Sequence, residues 1–343
     1  MTGGLLAAVT TSLAGVLGAA HGALAGAPTI VPGTGDVLPV EVDPTLVRVL
    51  LGPWSGLGAF FWGLLWGSFA NVVIWRVPRG QSVVHPGSRC GACETPIRWY
   101  DNIPLVSYLL LRGRCRACGA SFSTRYLIVE LLGGLLSFTL YTQHVAAPLV
   151  AGGAPALAAW LLWFIFGLAL VIITFIDLDF WIIPDAVVLP LAAVGLFCAA
   201  LFPDVLGVTL FDAALAAGVG FSLLAGLRWL YLRWRGLEAL GLGDAKLLLM
   251  VGAFCGNAGL LWTISAGAVQ GLLIAVPMLL LGRSVANSSL EEVHGDDPEL
   301  GEEDPDAGVM GVRVPFGPFL ALAAIEFMIL GEPLRALVFG LLR

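Results

Sequence analysis

Charged residues are scarce in this chain of 343 residues. They make up 12% of the sequence, whereas a typical soluble domain carries about 25%, and hydrophobic residues make up 58%. Basic residues are also too few for nucleic-acid binding, because 17 Lys and Arg stand against 24 Asp and Glu, a net charge of −7. These shortages exclude a soluble enzyme, a disordered tail protein and a nucleic-acid binder.

Long apolar runs take up most of the chain instead. A transmembrane helix needs roughly 20 mostly apolar residues. Runs of this kind lie at 57–75, 127–147, 157–176, 182–202, 208–230, 245–256, 259–282 and 314–331. The short run 245–256 is expected to end in a tight turn at Gly256 to Gly259. We predict an all-α polytopic membrane protein with about eight membrane-spanning helices, in which the 44 glycines allow close helix packing.

The first 56 residues are predicted to be an extension of this bundle. Residues 1–27 form an apolar run without a basic beginning, so a cleaved signal peptide is not expected. A ninth membrane span and a poorly anchored leader both remain open for this run. Residues 28–53 contain five prolines and are predicted to be a linker.

The distribution of basic residues predicts the orientation in the membrane. The loop 78–126 is rich in arginine, whereas 142–156 and 203–207 contain no Lys or Arg. The loop 78–126 is therefore predicted to be cytoplasmic. Counting spans forward places three more segments on the same side, namely 177–185, 232–244 and the acidic segment 283–313, which is predicted to be a solvated tether.

Two C-x-x-C pairs lie in the predicted cytoplasmic loop. They are Cys90 with Cys93 and Cys115 with Cys118, and 21 residues separate the pairs, one more than the usual range of a four-cysteine zinc site. The loop has few apolar residues for a core of its own, so we predict a structural zinc ion in a small zinc-ribbon-like loop. A redox dithiol pair is the alternative interpretation.

Two segments place carboxylates at the ends of predicted spans, where ionisable groups indicate function. The first carries Asp177, Asp179 and Asp185. The second is Gly241-Leu-Gly243-Asp244-Ala-Lys246, whose glycines would let another helix approach closely. A carboxylate pair that shares a proton can activate water and protonate a scissile carbonyl, as in an aspartic protease.

Simpler interpretations stay open for several of these acids. Asp185 follows Pro184 and would suit an N-cap, Asp244 would suit one equally well, and Asp179 fits either interpretation. A cap is less natural for Asp177, because it follows an apolar run. Asp212 and Glu326, inside other spans, are predicted to be packing residues.

The motifs, taken in order, are similar to those of the type IV prepilin peptidase family over roughly residues 57–331. The pieces that carry the resemblance are Gly67-Ser-Phe-Ala-Asn71 to Pro78, the cysteine loop with Asn102-Ile-Pro104 and Leu111-Arg-Gly-Arg-Cys115, Arg125-Tyr-Leu-Ile-Val-Glu130, Ile176-Asp177-Leu-Asp179 to Ile183-Pro184-Asp185, Gly241-Leu-Gly243-Asp244-Ala-Lys246, and Pro315-Phe-Gly317-Pro318.

This resemblance implies a function and its residues. Asp177 and Asp244 would be the catalytic aspartates of a membrane aspartic endopeptidase, and the residues around them would support the site: Asp179, Gly241, Gly243 and Lys246. The substrates would be prepilins or pseudopilins, whose leader is cut after a Gly at the cytoplasmic face of the bacterial inner membrane. The new N-terminal residue, usually Phe, would then be methylated from S-adenosylmethionine.

The site of the methyl donor is harder to predict, because no G-x-G-x-x-G motif follows a strand. Asn71, Arg76 and Glu130 are the candidates, as polar residues at span ends beside the cysteine loop. Glu130 could hold the cationic sulfonium of the donor. A local set of ion pairs and caps is the alternative, and the arginines of 112–116 are expected to be topology determinants rather than donor ligands.

The predicted organisation has three parts. Residues 1–56 form the extension, residues 57–147 the methyltransferase-associated region with the cysteine loop, and residues 157–343 the peptidase domain with the acidic insert. Membrane lipids and prepilins are the expected partners, and nucleic acid is not. A leader peptidase without methyltransferase activity is the first alternative, and a transporter or channel is a remote one, since the carboxylates cluster at one face rather than at the midplane.

Overall fold

The structure is a computed structural model that describes residues 43–235, 241–280 and 315–341. Within these ranges the chain is helical, and its only β-type pairings are two isolated bridges in the cysteine loop. The α-helices are α1 Pro44–Leu50, α2 Pro53–Arg76, α3 Val106–Leu110, α4 Thr124–Tyr141, α5 Ala147–Val150, α6 Leu157–Phe180, α7 Asp185–Leu201, α8 Pro203–Leu206, α9 Leu210–Arg235, α10 Leu242–Leu280 and α11 Gly317–Leu341. A 3₁₀ turn at Trp99–Asn102 and a π-helical turn at Thr142–Ala146 complete the described elements.

Five of the described helices are long and apolar enough to cross a membrane. They are α2, α4 with its continuation to Val150, α6, α9 and α10. The α-helical membrane architecture is thus confirmed in the described residues, while the count of about eight spans stays a prediction. The apolar run 1–27 and the acidic segment 283–313 lie outside the described residues.

The linker prediction is wrong at its C-terminal end, where α1 forms. Asp43 caps this helix by accepting a hydrogen bond of 2.8 Å from the backbone N–H of Thr45, and Pro44 occupies the first helical position. Proline suits that position, because the N–H it lacks would have no partner there. Val47 and Leu50 pack on a small apolar cluster that contains Val145.

The predicted turn in the sixth apolar run is confirmed as a break inside α10. Gly256 has φ 64° and ψ −165°, so two helices meet at this residue. A Cβ atom at Gly220 of α9 would lie 3.1 Å from Leu248 Cβ and 2.8 Å from Leu260 Cδ1. A straight helix would separate these two leucines by about 18 Å. The two halves of α10 therefore lie side by side.

Asp212 and Glu326 are packing residues, as predicted. Asp212 Oδ1 accepts a hydrogen bond of 3.3 Å from the backbone N–H of Asn257, and the Asn257 side chain donates to the same oxygen. Glu326 Oε1 accepts a bond of 2.9 Å from Gln270 Nε2. Asp212, in the first turn of α9, joins that helix to the break in α10, and Glu326 joins α11 to α10. Both acids are half-buried, and an unpaired carboxylate in apolar surroundings would be costly.

Close packing of α2 on α4 places the cysteine loop beside the bundle. A Cβ atom at Gly133 of α4 would lie 2.6 Å from the carbonyl oxygen of Gly63, and one at Gly67 of α2 would lie 2.8 Å from Glu130 Cα. Because glycine leaves room for the neighbouring backbone, the two helices approach closely. The loop that joins them therefore begins and ends at one end of the bundle.

Candidate active site and metal centre

Asp177 lies in the last turn of α6 and is only 6% exposed. The backbone N–H of Trp181 donates a hydrogen bond of 3.0 Å to the Asp177 carbonyl and ends the helix. The backbone N–H of Gly317 donates to the Asp177 carboxylate, and a Cβ atom at Gly317 would lie 2.5 Å from Oδ2. The N-terminus of α11 therefore rests directly on this carboxylate, an arrangement that favours negative charge.

Asp244 lies in the first turn of α10, close enough to Asp177 for the two carboxylate charges to interact. Ile183 packs between the segments that carry the site. A Cβ atom at Gly243 would lie 3.0 Å from Ile183 Cβ, and one at Gly317 would lie 3.1 Å from Ile183 Cδ1. The structure thus brings together the two aspartates that the sequence singles out. Such a pair can share one proton.

The other acids near this site have partners of their own. Asp179 forms an ion pair with Arg125, and Asp185 accepts a bond of 2.7 Å from Lys246 Nζ. The N-cap interpretation of Asp185 is wrong, because Pro184 occupies the cap position and Asp185 begins α7. Lys246 therefore joins the starts of α7 and α10.

The two glycines before Asp244 differ in their surroundings. Gly243 lies against the side chain of Ile183, in the connection between α6 and α7, and has little room for a side chain of its own. Gly241 is exposed, and a Cβ atom there would meet only the backbone nitrogen of Gly243, at 3.8 Å. The expectation that Gly241 allows a close helix approach is therefore wrong.

Three residues of this site were not among the predicted ones. They are Arg125, Ile183 and Gly317. All three lie in the motifs that carry the family resemblance, and this is the one feature of the sequence that points to them. Their roles depend on contacts between distant parts of the chain, which a single sequence does not give.

The four cysteines of the loop form one cluster. All four Sγ atoms lie within 4.8 Å of one another, and none is in a disulfide. Cys90 Sγ and Cys118 Sγ are 3.8 Å apart, which matches the roughly 3.8 Å that tetrahedral Zn–S bonds of about 2.3 Å require. The donor set thus fits a zinc ion. An ordinary redox dithiol would need only two of these thiols.

Both halves of the cluster have the same backbone geometry. The N–H of Glu94 donates 2.8 Å to the Cys90 carbonyl, and the N–H of Gly119 donates 2.9 Å to the Cys115 carbonyl. Each turn is closed by an isolated antiparallel bridge, Arg89 with Pro96 and Arg114 with Ser121. The two matching turns thus bring four thiols together, as a cluster that could hold a metal ion requires.

A cavity of 1340 Å³ lies between the cysteine loop and the helices α2 and α4, and Asn71, Arg76 and Glu130 all line it. Asn71 Nδ2 donates 3.1 Å to the Tyr126 carbonyl, and Glu130 Oε2 accepts 2.8 Å from the Leu105 N–H. The structure therefore brings the three candidates to one cavity.

Arg76 anchors the beginning of the cysteine loop. Its guanidinium donates 3.0 Å to the Ser82 carbonyl and 3.5 Å to the Gly87 carbonyl. Among the ion pairs of the described residues, none joins Arg76 to Glu130. Arg76 and Glu130 instead each bind backbone groups of the loop, so the alternative of a local set of ion pairs and caps stays open for them.

An exposed ion pair braces the same loop. Arg116 donates to the Asp101 carboxylate at 2.7 Å and 2.9 Å, and these hydrogen bonds lower the pKa of Asp101. The pair connects the 3₁₀ turn to the second C-x-x-C segment. Arg116 therefore has a local structural role in addition to any effect on membrane topology.

Two family models match the chain. The Bacterial Peptidase A24 N-terminal domain matches residues 61–144, and the Type IV leader peptidase family matches residues 163–276. The first match contains the cysteine cluster, the three polar candidates of the cavity and Arg125. The second contains both aspartates.

Several relatives are similar over most of their length, and they share the name prepilin leader peptidase/N-methyltransferase. The protein from Myxococcus xanthus is 36% identical over 82% of this chain and 91% of its own. That from Stutzerimonas stutzeri is 34% identical over 82% and 92%, and that from Klebsiella pneumoniae 39% over 64% and 89%. No solved structure matches the chain. On this similarity, the chain belongs to the type IV leader peptidase family.

Proposed function

We propose that this chain cleaves the leader of type IV prepilins or pseudopilins and then methylates the new N-terminus. The observation that carries the proposal is that the carboxylates of Asp177 and Asp244, which belong to different helices, lie close enough to interact. The relatives named prepilin leader peptidase/N-methyltransferase support the same conclusion for the substrate class. The transporter alternative is not favoured, because the two carboxylates lie at helix ends.

Peptide cleavage follows from a pair of carboxylates that holds one proton. The charged aspartate accepts a proton from water, whose oxygen forms a bond to the scissile carbonyl carbon, while the protonated aspartate donates to the carbonyl oxygen. Breaking the C–N bond then releases the amine, which takes up a proton from the pair. Asp177 and Asp244 fill these two roles, and Gly317 holds Asp177 by its backbone N–H.

The active site is proposed to face the cytoplasm. Arg125, at the end of the arginine-rich loop, contacts Asp179 near the site, so this loop and the aspartates share one end of the bundle. Arginine-rich loops stay on the cytoplasmic side. A basic leader would thus meet the site there, while the apolar helix of the pilin lies in the bilayer of the inner membrane.

The cavity beside the cysteine loop is the proposed methyltransferase site. Its volume of 1340 Å³ is above the usual 300–1,000 Å³ of small-molecule pockets, so it has room for a donor and a peptide end. S-adenosylmethionine, when bound, supplies the methyl group to the new amine. Glu130 would present a carboxylate to the cationic sulfonium of the donor, and Asn71 and Arg76 line the same cavity.

The zinc ion is proposed to be structural. Four thiolates complete a tetrahedral shell and leave no open position for catalysis. The ion would join the two turns of the loop and thereby fix one wall of the cavity, which Cys90 also lines. The three-part division at residues 1–56, 57–147 and 157–343 is retained as a proposal.

A leader-cleavage assay in detergent tests the peptidase assignment. Asp177→Asn and Asp244→Asn should each lower cleavage of a prepilin by about 10²- to 10⁴-fold, the usual contribution of a general acid or base. Asp204→Asn, an exposed acid at the start of α8, is the matched control and should cleave like the wild type. Near wild-type cleavage by either active-site variant would contradict the assignment of that residue.

A further inference from the structure

The last turn of α6 carries two acids that face different partners. Successive residues of an α-helix are rotated by about 100°, so Asp179 points roughly opposite to Asp177. Asp177 faces Gly317 and Asp244, whereas Asp179 faces the N-terminal part of the chain. There it forms an ion pair with Arg125 of α4.

Arg125 holds this turn at more than one point. Its guanidinium binds the Asp179 carboxylate, and Nη2 donates 3.3 Å to the Phe175 carbonyl. The same group lies 5.0 Å from the centre of the Phe175 ring. Phe175 and Asp179 are one turn apart, on the side of α6 away from the active site, and Asp177 lies between them in sequence.

The pair is placed where it can act on the peptidase site. The side chains of Arg125 and Asp179 are 30% and 21% exposed, so both are largely shielded from water. A charge-assisted bond between guanidinium and carboxylate is strong and directional. The final turn of a helix otherwise frays most easily, because its carbonyl groups have no partners within the helix.

Arg125 itself belongs to the methyltransferase side of the molecule. It lies in the first turn of α4, where Ser123 Oγ accepts a bond of 3.2 Å from its backbone N–H. Glu130, on the wall of the cavity, lies further along the same helix. A single helix thus connects the proposed donor cavity to the turn that carries Asp177.

We infer that Arg125 is a positioning residue for the peptidase, acting through Asp179 to hold the last turn of α6 so that Asp177 faces Asp244. This inference rests on the proposed function. Arg125 contacts neither of the proposed catalytic aspartates, Asp177 and Asp244, so its effect on cleavage is through their geometry. Catalysis is sensitive to such geometry, since a displacement of about 1 Å can cost 10²-fold in rate.

Steady-state cleavage kinetics on the full chain in detergent test this inference. Arg125→Gln should lower kcat by about 10- to 100-fold with KM nearly unchanged. Asp179→Asn removes the other charge of the same ion pair and should lower kcat to a similar extent. The double exchange Arg125→Asp with Asp179→Arg should recover part of the lost kcat. Methylation of an already cleaved pilin should continue in Arg125→Gln.

Arg116→Gln is the matched control. It removes another Arg–Asp pair of the same loop, one that contacts Asp101 and not α6, and its kcat should equal that of the wild type. Thermal unfolding in detergent, followed by circular dichroism, establishes that each variant is folded.

Each outcome decides one question. A wild type that cleaves no prepilin contradicts the proposed function. If the wild type cleaves, a folded Arg125→Gln with unchanged kcat, or with only a raised KM, overturns the inference alone. Unfolding of both single variants also overturns it, because the pair would then be needed for stability rather than for positioning.

Discussion

Gly317 places the start of α11 against Asp177. A side chain there would collide with the carboxylate, since a Cβ atom would lie 2.5 Å from Asp177 Oδ2 and 3.1 Å from Ile183 Cδ1. The backbone N–H of Gly317 could then no longer reach the carboxylate at its present distance. A glycine at this position therefore serves the geometry of the active site.

Gly317→Ala should consequently reduce leader cleavage. Because the added methyl group must displace either α11 or Asp177, we expect kcat to fall by about 10²-fold, as for a displacement of about 1 Å. Gly218→Ala in α9 is the control, since nothing lies within 4 Å of a Cβ atom there. Equal kcat for the two variants would mean that the contact of Gly317 with Asp177 is unimportant for cleavage.

The residues that could be predicted from the sequence are those whose chemistry is unusual for their surroundings. Carboxylates at the ends of apolar runs are costly, so Asp177 and Asp244 are prominent in a chain with 12% charged residues. The ion pair of Asp179 with Arg125 spans 54 positions. No periodic pattern connects positions so far apart, and only the fold brings them together.

Among the elements, the cysteine loop depends most on a ligand. Two turns, two isolated bridges, one 3₁₀ turn and the five-residue helix α3 give it little secondary structure. A small unit with so little apolar core usually needs a metal or disulfides. Its four thiols are free and clustered, and zinc would supply the missing stabilisation.

Purified protein should accordingly contain about one zinc per chain, as one four-cysteine site requires. Cys90→Ser combined with Cys93→Ser should lose the metal and lower the unfolding temperature, because two of the four ligands are gone. Metal content is measured by mass spectrometry. Cys198 lies in α7, outside the cluster, so the control variant Cys198→Ser should contain as much zinc as the wild type. A metal-free wild type with full activity would rule out this role.

The bounds of apolar helices were easier to predict than those of the connections. The predicted run 157–176 corresponds to α6 at Leu157–Phe180. The agreement is good because the length of the apolar run is enough to locate a membrane-spanning helix. The break at Gly256 was also predicted, since GNAG favours a turn, and its φ of 64° suits glycine. Helix α1 does not follow from the sequence pattern, because the five prolines of residues 28–53 indicate a linker, although Pro44 suits the first turn of a helix.

At the scale of the whole molecule, the two proposed sites share one end of the bundle and meet at α4 and α6. Arg125 contacts the turn that carries Asp177, while Glu130 of the same helix lines the cavity beside the cysteine loop. A cleaved pilin end would thus be released near the donor cavity. Such proximity favours methylation directly after cleavage.

The two activities should nevertheless be separable, because they use different side chains. Asp244→Asn removes one member of the aspartate pair and leaves the cavity intact, so it should abolish cleavage while methylation of an already cleaved pilin continues. Glu130→Gln keeps the size of the side chain and removes its charge. Since the cationic sulfonium of the donor then loses its counter-charge, methylation should fall by about 10-fold or more, with kcat for cleavage unchanged.

Mass spectrometry of the processed pilin distinguishes the outcomes, because a methylated N-terminus is heavier by one CH₂ group. The neutral Gln still offers an oxygen to the N–H of Leu105 and to the Ser68 hydroxyl, the present partners of Glu130, so the test addresses mainly the charge. If Glu130→Gln loses both activities, Glu130 stabilises the fold. If it keeps both, the donor binds elsewhere, and the assignment of Asp177 and Asp244 stands independently.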